Sequence, residues 1–124
     1  MTEIKTYLEA LLLVEDEPRL FAPGQIIFKA GEPGRHMYVV RTGTVELRSV
    51  DTILEVVAKG GVFGEMALVD PAPRSATAVA GPDCSLAAID ATAFHGLVQK
   101  VPSLALEVMR VMARRLRQMT AQAP

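Results

Sequence analysis

Residues 60–80 read GGVFGEMALVDPAPRSATAVA and join a glycine-rich opening to a short helix-forming segment and then to a strand-like run. The glycines at the start allow the main chain to turn sharply and to approach a ligand closely. The first N–H groups of a helix that begins at Gly64 have no acceptors within that helix, so they are available to an anion. The stretch therefore predicts an anion pocket between a helix start and a sheet.

A cation follows ten residues after Gly64. Pro73 is expected to stop the short helix, and Arg74 to open the next strand, which brings a planar guanidinium back towards the same N–H groups. Ser75 adds a hydroxyl and a main-chain donor, and the small Ala76 leaves room for close approach. This combination of donors predicts that the anion is a phosphate.

Glu65 is the unexpected member of this group, since a carboxylate beside a phosphate repels it. It is useful in the site only if it accepts hydrogen bonds from neutral hydroxyls, such as those of a ribose. Phosphate donors and a sugar acceptor together predict a small cyclic nucleotide, in which the phosphate is fused to the ribose. The alternative is a mutual ion pair between Glu65 and Arg74 that merely tethers a loop.

Short runs rich in Val, Ile, Thr and Phe extend on both sides of this stretch, with glycine or proline at intervals of roughly ten residues. Pro23-Gly24, Pro33-Gly34 and Thr42-Gly43 offer the fixed and the positive φ that tight turns need. The pattern predicts an antiparallel sandwich or barrel. Strands are expected near residues 19–22, 25–29, 37–41, 44–49, 53–58, 75–80 and 84–89.

Helical periodicity is predicted at both ends of the chain, over residues 2–12, 91–99 and 103–119, with Asp90 placed to cap the second helix. The last helix carries apolar residues in a four-three spacing, widened by three neighbours: Ala105, Met109, Met112, Leu116 and Met119, with Leu104, Val108 and Val111. Packing of this stripe against the sheet is the favoured interpretation. The alternative is a dimer seam, for which two heptads are few.

The chain has 124 residues, half of them hydrophobic, and a formal net charge of −1. These values favour one folded domain over residues 1–124 and provide no broad positive field for nucleic acid. The N-terminal segment does not resemble a signal peptide, and no stretch is apolar enough to span a bilayer. Cys84 is the only cysteine, so an unreactive strand residue and a cytoplasmic location are expected. His36 and His95 lack metal-ligand spacing, and no metal is expected.

The segment FGEMALVDPAPRSA, residues 63–76, closely resembles the phosphate-binding cassette of cyclic-nucleotide-binding domains, of the type in catabolite activator proteins and bacterial channel sensors. FAPGQIIFKAGEPG, MYVVRTGTVEL and AIDATAF resemble successive strands and helices of that family, so that about residues 19–119 are covered. The resemblance implies a mainly β fold, an eight-stranded antiparallel, jelly-roll-like β-roll over residues 19–90. A short N-terminal helix and linker over 1–18 and two C-terminal helices over 91–121 complete it.

The resemblance also implies roles for individual residues. Glu65 would hold the ribose 2′-hydroxyl and Arg74 the cyclic phosphate. The N–H groups around five residues would bind the remaining phosphate oxygens: Gly64, Met66, Ala67, Ser75 and Ala76. Phe63 is a further candidate ligand-binding residue. Leu47 and Val62 would line the base. Arg115, or Arg114 in its place, stands where a lid residue of the last helix would close over the base. For both arginines the alternative is a solvated basic helix face.

The function implied is that of a non-catalytic regulatory sensor for cyclic AMP, with cyclic GMP as the alternative ligand and no cofactor. Ligand binding would shift the final helices about a hinge near Val101 and Pro102. The output would come from a domain or partner outside this chain, and no direct DNA binding is expected. The last helix is a candidate homodimer interface. The alternative function is that of a ligand-free structural or dimerisation module of the same fold. The turn at residues 34–36 departs from the family because it lacks the usual acidic residue.

Overall fold

The computed structural model describes residues 17–70 and 72–122. These residues contain eight strands, one 3₁₀ helix and two α-helices. The helix predicted over residues 2–12 lies outside the described residues. The strands are β1 Arg19–Phe21, β2 Ile26–Phe28, β3 His36–Thr42, β4 Val45–Ser49, β5 Thr52–Val57, β6 Val62–Phe63, β7 Thr77–Ala80 and β8 Cys84–Asp90. The 3₁₀ helix is Glu65–Leu68, and the α-helices are α1 Ala91–Lys100 and α2 Ser103–Gln122.

The strands form two four-stranded sheets with the orders β1-β8-β3-β6 and β2-β7-β4-β5. Their pairings are antiparallel. This arrangement confirms the predicted mainly β fold, an eight-stranded antiparallel roll followed by two helices.

Side chains of β3 point alternately to two separate cores, because successive residues of a strand face opposite sides of its sheet. Met37 and Val39 pack with the helices, whereas Tyr38 and Val40 pack between the two sheets. The neighbouring β8 divides its residues in the same way. The first sheet is therefore covered on both faces, and its helix-side core fixes where α2 lies.

Strand β6 was not among the strands predicted individually, since it contains two residues between glycines. It pairs with β3 through Tyr38↔Phe63 and Val39↔Val62. Val62 points into the helix-side core and Phe63 into the core between the sheets, and both are buried. This pairing sets the position at which the following residues, Gly64 and Glu65, leave the sheet.

Helix α1 begins as predicted, because the Asp90 carboxylate accepts a hydrogen bond of 2.8 Å from the N–H of Ala93. In α2 the residues packed against the sheet are Leu104, Val108 and Val111. Met112 also packs against this core, whereas Met109, Leu116 and Met119 are exposed, so the predicted stripe is confirmed for the first four residues and wrong for the last three. None of the helices within residues 17–70 and 72–122 has the length and hydropathy required to cross a membrane.

Cys84 is the first residue of β8 and its side chain is buried. Burial raises the pKa of its thiol, which disfavours the reactive thiolate form. The structure thus agrees with the expectation of an unreactive strand cysteine.

Candidate functional site

A cavity of about 290 Å³ lies between the β-roll and α2, near the lower end of the range of roughly 300–1,000 Å³ for small-molecule sites. A second pocket of about 110 Å³ adjoins it and shares Leu47, Glu65, Met66, Ser75, Ala76, Arg115 and Met119. The cavity is thus lined mainly by residues of the segment 60–80 and by one face of α2.

The segment after β6 enters the cavity wall through Gly64, whose φ of 74° is in the left-handed region that favours glycine. The helix that follows is a single 3₁₀ turn, closed by a 3.3 Å bond from the Ala67 N–H to the Gly64 carbonyl. So short a helix has little dipole. Its N–H groups can serve an anion only as individual donors.

Arg74 precedes β7 instead of opening it, as the sequence had predicted. Its main chain is fixed to the turn after β2, with a 2.8 Å bond from the Arg74 N–H to the Glu32 carbonyl. The Gly31 N–H donates in return to the Arg74 carbonyl at 2.7 Å. This pairing holds the arginine at the cavity although it lies outside the sheet.

The Arg74 guanidinium lies 4.1 Å from the centre of the Phe28 ring, in the position of a cation–π contact. Its Nη1 donates to the Gly64 carbonyl at 3.1 Å, and its Nη2 to the His36 carbonyl at 2.8 Å. Among the described residues its buried Nε has no hydrogen-bond partner. Arg74 therefore donates through both of its Nη atoms, while its buried Nε lacks an acceptor.

Burial lowers the pKa of Arg74 from its ordinary value, while the charges of Tyr38, Glu65 and Glu32 act in the opposite direction. An arginine in a protein nevertheless remains protonated. The cavity wall accordingly carries a permanent positive charge at this position.

Gly34 lies directly against this guanidinium. A Cβ added there would overlap Nε and Cζ of Arg74 and would lie 2.7 Å from its Nη2. Gly34 is not among the glycines with positive φ, in contrast to Gly31 in the same turn. Glycine at position 34 therefore leaves the space that the Arg74 guanidinium occupies, and it is not there, as the sequence suggested, for a positive φ.

Glu65 is only 2% exposed and forms an ion pair with Arg115 of α2. Arg115 also holds Glu55 of β5 through two 3.0 Å bonds, and its Nη2 donates to the Val62 carbonyl at 2.7 Å. Its side chain is 11% exposed, so the alternative of a solvated helix face is wrong for Arg115. The other alternative, a mutual pair of Glu65 and Arg74, is also contradicted, because each has different partners.

The structure brings most of the candidate residues to one cavity: Leu47, Gly64, Glu65, Met66, Ala67, Arg74, Ser75, Ala76 and Arg115. Val62 and Phe63 do not line it, since their side chains fill the two cores on either side of β6. Arg114 is exposed and borders a different pocket, beside β5 and β6. His36 begins β3 and contributes its carbonyl, whereas His95 is exposed on α1.

Three contributors were missed from the sequence: Phe28, Gly34 and Glu55. Phe28 and Arg74 are 46 residues apart, and no sequence pattern connects them. A signal did exist for Glu55, because it has the same strand phase as the buried Val57 and is therefore a carboxylate on the inward face of β5.

Comparison with known proteins gives a consistent result. The family model described as the cyclic nucleotide-binding domain matches residues 18–101. The cyclic AMP receptor protein of Thermus thermophilus is 35% identical over 105 residues, covering 81% of this chain and 49% of that protein. The crystal structure of the Thermus thermophilus catabolite activator protein matches with a TM-score of 0.77 and 31% identity, covering 98% of this chain and 57% of that chain.

A structure solved in work on a cyclic-GMP-dependent signalling pathway in bacterial phytopathogenesis matches with a TM-score of 0.73 and 29% identity, covering 93% of this chain and 91% of that chain. The chain spans about half the length of the curated relatives it matches. The family match extends over all eight strands and α1, and it includes the cavity residues before α2. The chain therefore belongs to the cyclic nucleotide-binding domain family.

Proposed function

We propose that the chain binds a cyclic nucleotide in the cavity between the β-roll and α2, and that it acts as a regulatory sensor that catalyses no reaction itself. The observation that carries this proposal is the Arg74 guanidinium at the cavity wall, with a buried Nε that lacks an acceptor. An unpartnered buried donor costs about 1–3 kcal/mol. A phosphate bound beside Nε would supply the missing acceptor.

The phosphate would lie between Arg74 and the main-chain donors of Ser75 and Ala76, which line the same cavity. Glu65 would accept the ribose 2′-hydroxyl. Its negative charge is balanced by the ion pair with Arg115, which reduces its repulsion of the phosphate. Leu47 and the lid residue Arg115 would contact the base.

Cyclic AMP is the preferred ligand, because the names of the relatives refer to it, and cyclic GMP is the alternative, in view of the structure from the cyclic-GMP pathway. Ser75 at the cavity wall is compatible with either base. Competitive titration against a fluorescent cyclic nucleotide tests the proposal. We expect saturable displacement by cyclic AMP at lower concentrations than by cyclic GMP. Failure of both nucleotides to bind would favour a ligand-free structural module.

Movement of α2 would transmit the signal, because α2 contributes Arg115, Leu116 and Met119 to the cavity wall. The hinge would lie at Val101 and Pro102, the two residues between α1 and α2. The bacterial cyclic-AMP-related proteins that match are about twice as long as this chain, and an output domain or partner protein outside this chain would receive the signal. Residues 1–124 would act as one domain in the cytoplasm, without direct contact to DNA.

A homodimer through α2 is part of the proposal. Leu106, Met109, Leu116 and Met119 are exposed on this helix. They lie beside the face that packs on the sheet through Leu104, Val108 and Val111, and Leu116 and Met119 also border the cavity. A second copy could cover the exposed residues about a two-fold axis, so that each copy buries the same residues. Light scattering should give twice the mass of the chain, and Leu116→Glu should reduce it to that of one chain. A monomeric unmodified chain would contradict the dimer.

Gly34→Ala is expected to weaken cyclic-nucleotide binding by about tenfold, a loss in the lower part of the range for a charged contact. The added methyl group would occupy the position of the guanidinium and push it off Phe28. Isothermal titration calorimetry measures the change. Gly96→Ala in α1 is the control, because an added Cβ there meets nothing within 4 Å. An affinity equal to that of the unmodified chain would exclude this role for Gly34.

A further inference from the structure

Glu55 lies on β5, eight residues before the phosphate-binding segment begins at Phe63, yet it contacts the residue that connects α2 to the cavity. Its Oε1 accepts from Arg115 Nε at 3.0 Å, and its Oε2 accepts from Arg115 Nη2 at 3.0 Å. These two parallel bonds are the arrangement in which arginine binds a carboxylate most specifically. Glu55 therefore fixes the plane of the Arg115 guanidinium.

Glu65 meets the same guanidinium at a different atom, Nη1. The Val62 carbonyl accepts from Nη2 at 2.7 Å and adds a fixed main-chain point. One cation is thus held between two carboxylates that come from β5 and from the 3₁₀ helix. Glu55 accepts from Nε and Nη2, so these two donors are not available to Glu65.

We propose that Glu55 is a positioning residue for recognition of the ligand's ribose hydroxyl, acting through Arg115 on Glu65; this inference rests on the proposed function. When a neutral side chain replaces the Glu55 carboxylate, the Arg115 guanidinium no longer has a carboxylate partner on β5. It can then turn its paired donors towards the buried Glu65 carboxylate, which is the stronger remaining acceptor. The ribose hydroxyl must then compete with two guanidinium donors for the same oxygens.

The test compares two ligands, cyclic AMP and its 2′-deoxy analogue, on the unmodified chain and on Glu55→Gln. The ratio of the two affinities isolates the contribution of the hydroxyl, because the ligands are otherwise the same. We expect Glu55→Gln to reduce this ratio by about three- to tenfold, as for residues coupled within one ion-pair network. A change in the contact of Arg115 with the base would alter the affinity for both ligands alike, so it would cancel in this ratio.

Glu46→Gln is the matched control. Glu46 lies on the adjacent strand β4, is similarly exposed at 30% against 25% for Glu55, and also pairs with an arginine, Arg48. It does not line the cavity. The affinity ratio of this variant should equal that of the unmodified chain, and a loss equal to that in Glu55→Gln would overturn the inference.

A second comparison uses Arg115→Met with and without Glu55→Gln. If Glu55 acts through Arg115, then Glu55→Gln has no further effect on the affinity ratio once the guanidinium is gone. An effect of Glu55→Gln that persists in the Arg115→Met background would contradict the inference. An unchanged affinity ratio in Glu55→Gln alone would also contradict it, and this single variant is sufficient if Arg115→Met does not fold. If the unmodified chain binds neither ligand, the proposed function fails as well.

Discussion

Arg74→Ala is expected to reduce the affinity for a cyclic nucleotide by tens to thousands of fold, about 2–5 kcal/mol, since the variant leaves a phosphate partly unpaired in a shielded site. Arg74 is the cation of the phosphate-binding segment on this cavity wall, and Arg115, the other arginine there, is engaged by two carboxylates. Calorimetric titration gives the affinity directly.

Two variants sharpen the comparison. Arg74→Lys keeps the positive charge but lacks the planar fork, so it should bind with an affinity between those of Arg74→Ala and the unmodified chain. Arg48→Ala removes an arginine from β4 that pairs with Glu46 and does not line the cavity, and it should bind normally. Unchanged affinity in Arg74→Ala would refute the role of this residue in binding phosphate.

Stability provides an independent measurement on the same variant. Arg74→Ala removes two hydrogen bonds and a contact with Phe28, but it also removes the buried Nε that lacks an acceptor. These effects oppose one another, so we expect the free energy of unfolding to change by less than about 1.5 kcal/mol. A loss of binding would then reflect the site and not the fold.

The sequence predicted the residues of the cassette because they are contiguous and their chemistry is distinctive. Arg74, Ser75 and Glu65 lie within eleven positions of one another, and turn residues around them restrict where the main chain can go. The cap of α1 was equally predictable, since Asp90 acts on an N–H only three residues away.

The contacts that orient the cassette were not predictable, because they join residues that are distant in the chain. Phe28 lies under Arg74, and Glu55 is sixty residues from Arg115. Periodicity also could not decide which side of α2 faces the sheet. Two apolar stripes run side by side there, and only the packing of β3 and β8 selects Leu104, Val108 and Val111.

Phe63 has a side-chain environment that the resemblance did not specify. The cassette pattern placed it among the ligand-binding residues, but its side chain is 0% exposed and lies between the sheets. Its ring stacks on Tyr38 with 5.3 Å between centroids, and it lies 5.9 Å from the ring of Phe28. The Phe28 ring in turn contacts the Arg74 guanidinium. Phe63 therefore packs behind the ring that positions this cation.

Phe63→Ala is therefore expected to lower the free energy of unfolding by about 3–5 kcal/mol, the usual cost of truncating a buried aromatic residue. Domains of ordinary size have a total stability of about 5–15 kcal/mol, so this is a large share. Urea denaturation followed by circular dichroism measures it. Phe63→Leu retains much of the side-chain volume and should lose less than Phe63→Ala.

A position in the core and a position in the cavity wall predict opposite effects of Phe63 substitutions on stability and on affinity. A core residue makes Phe63→Ala strongly destabilising, while Phe63→Leu, once folded, binds the cyclic nucleotide nearly as well as the unmodified chain. A residue of the cavity wall would give the reverse, with little change in the urea midpoint and a clear loss of affinity in both variants. Because Tyr38 and Phe28 enclose the ring, the first pattern is expected, and the second would contradict the position of β6 in the sheet.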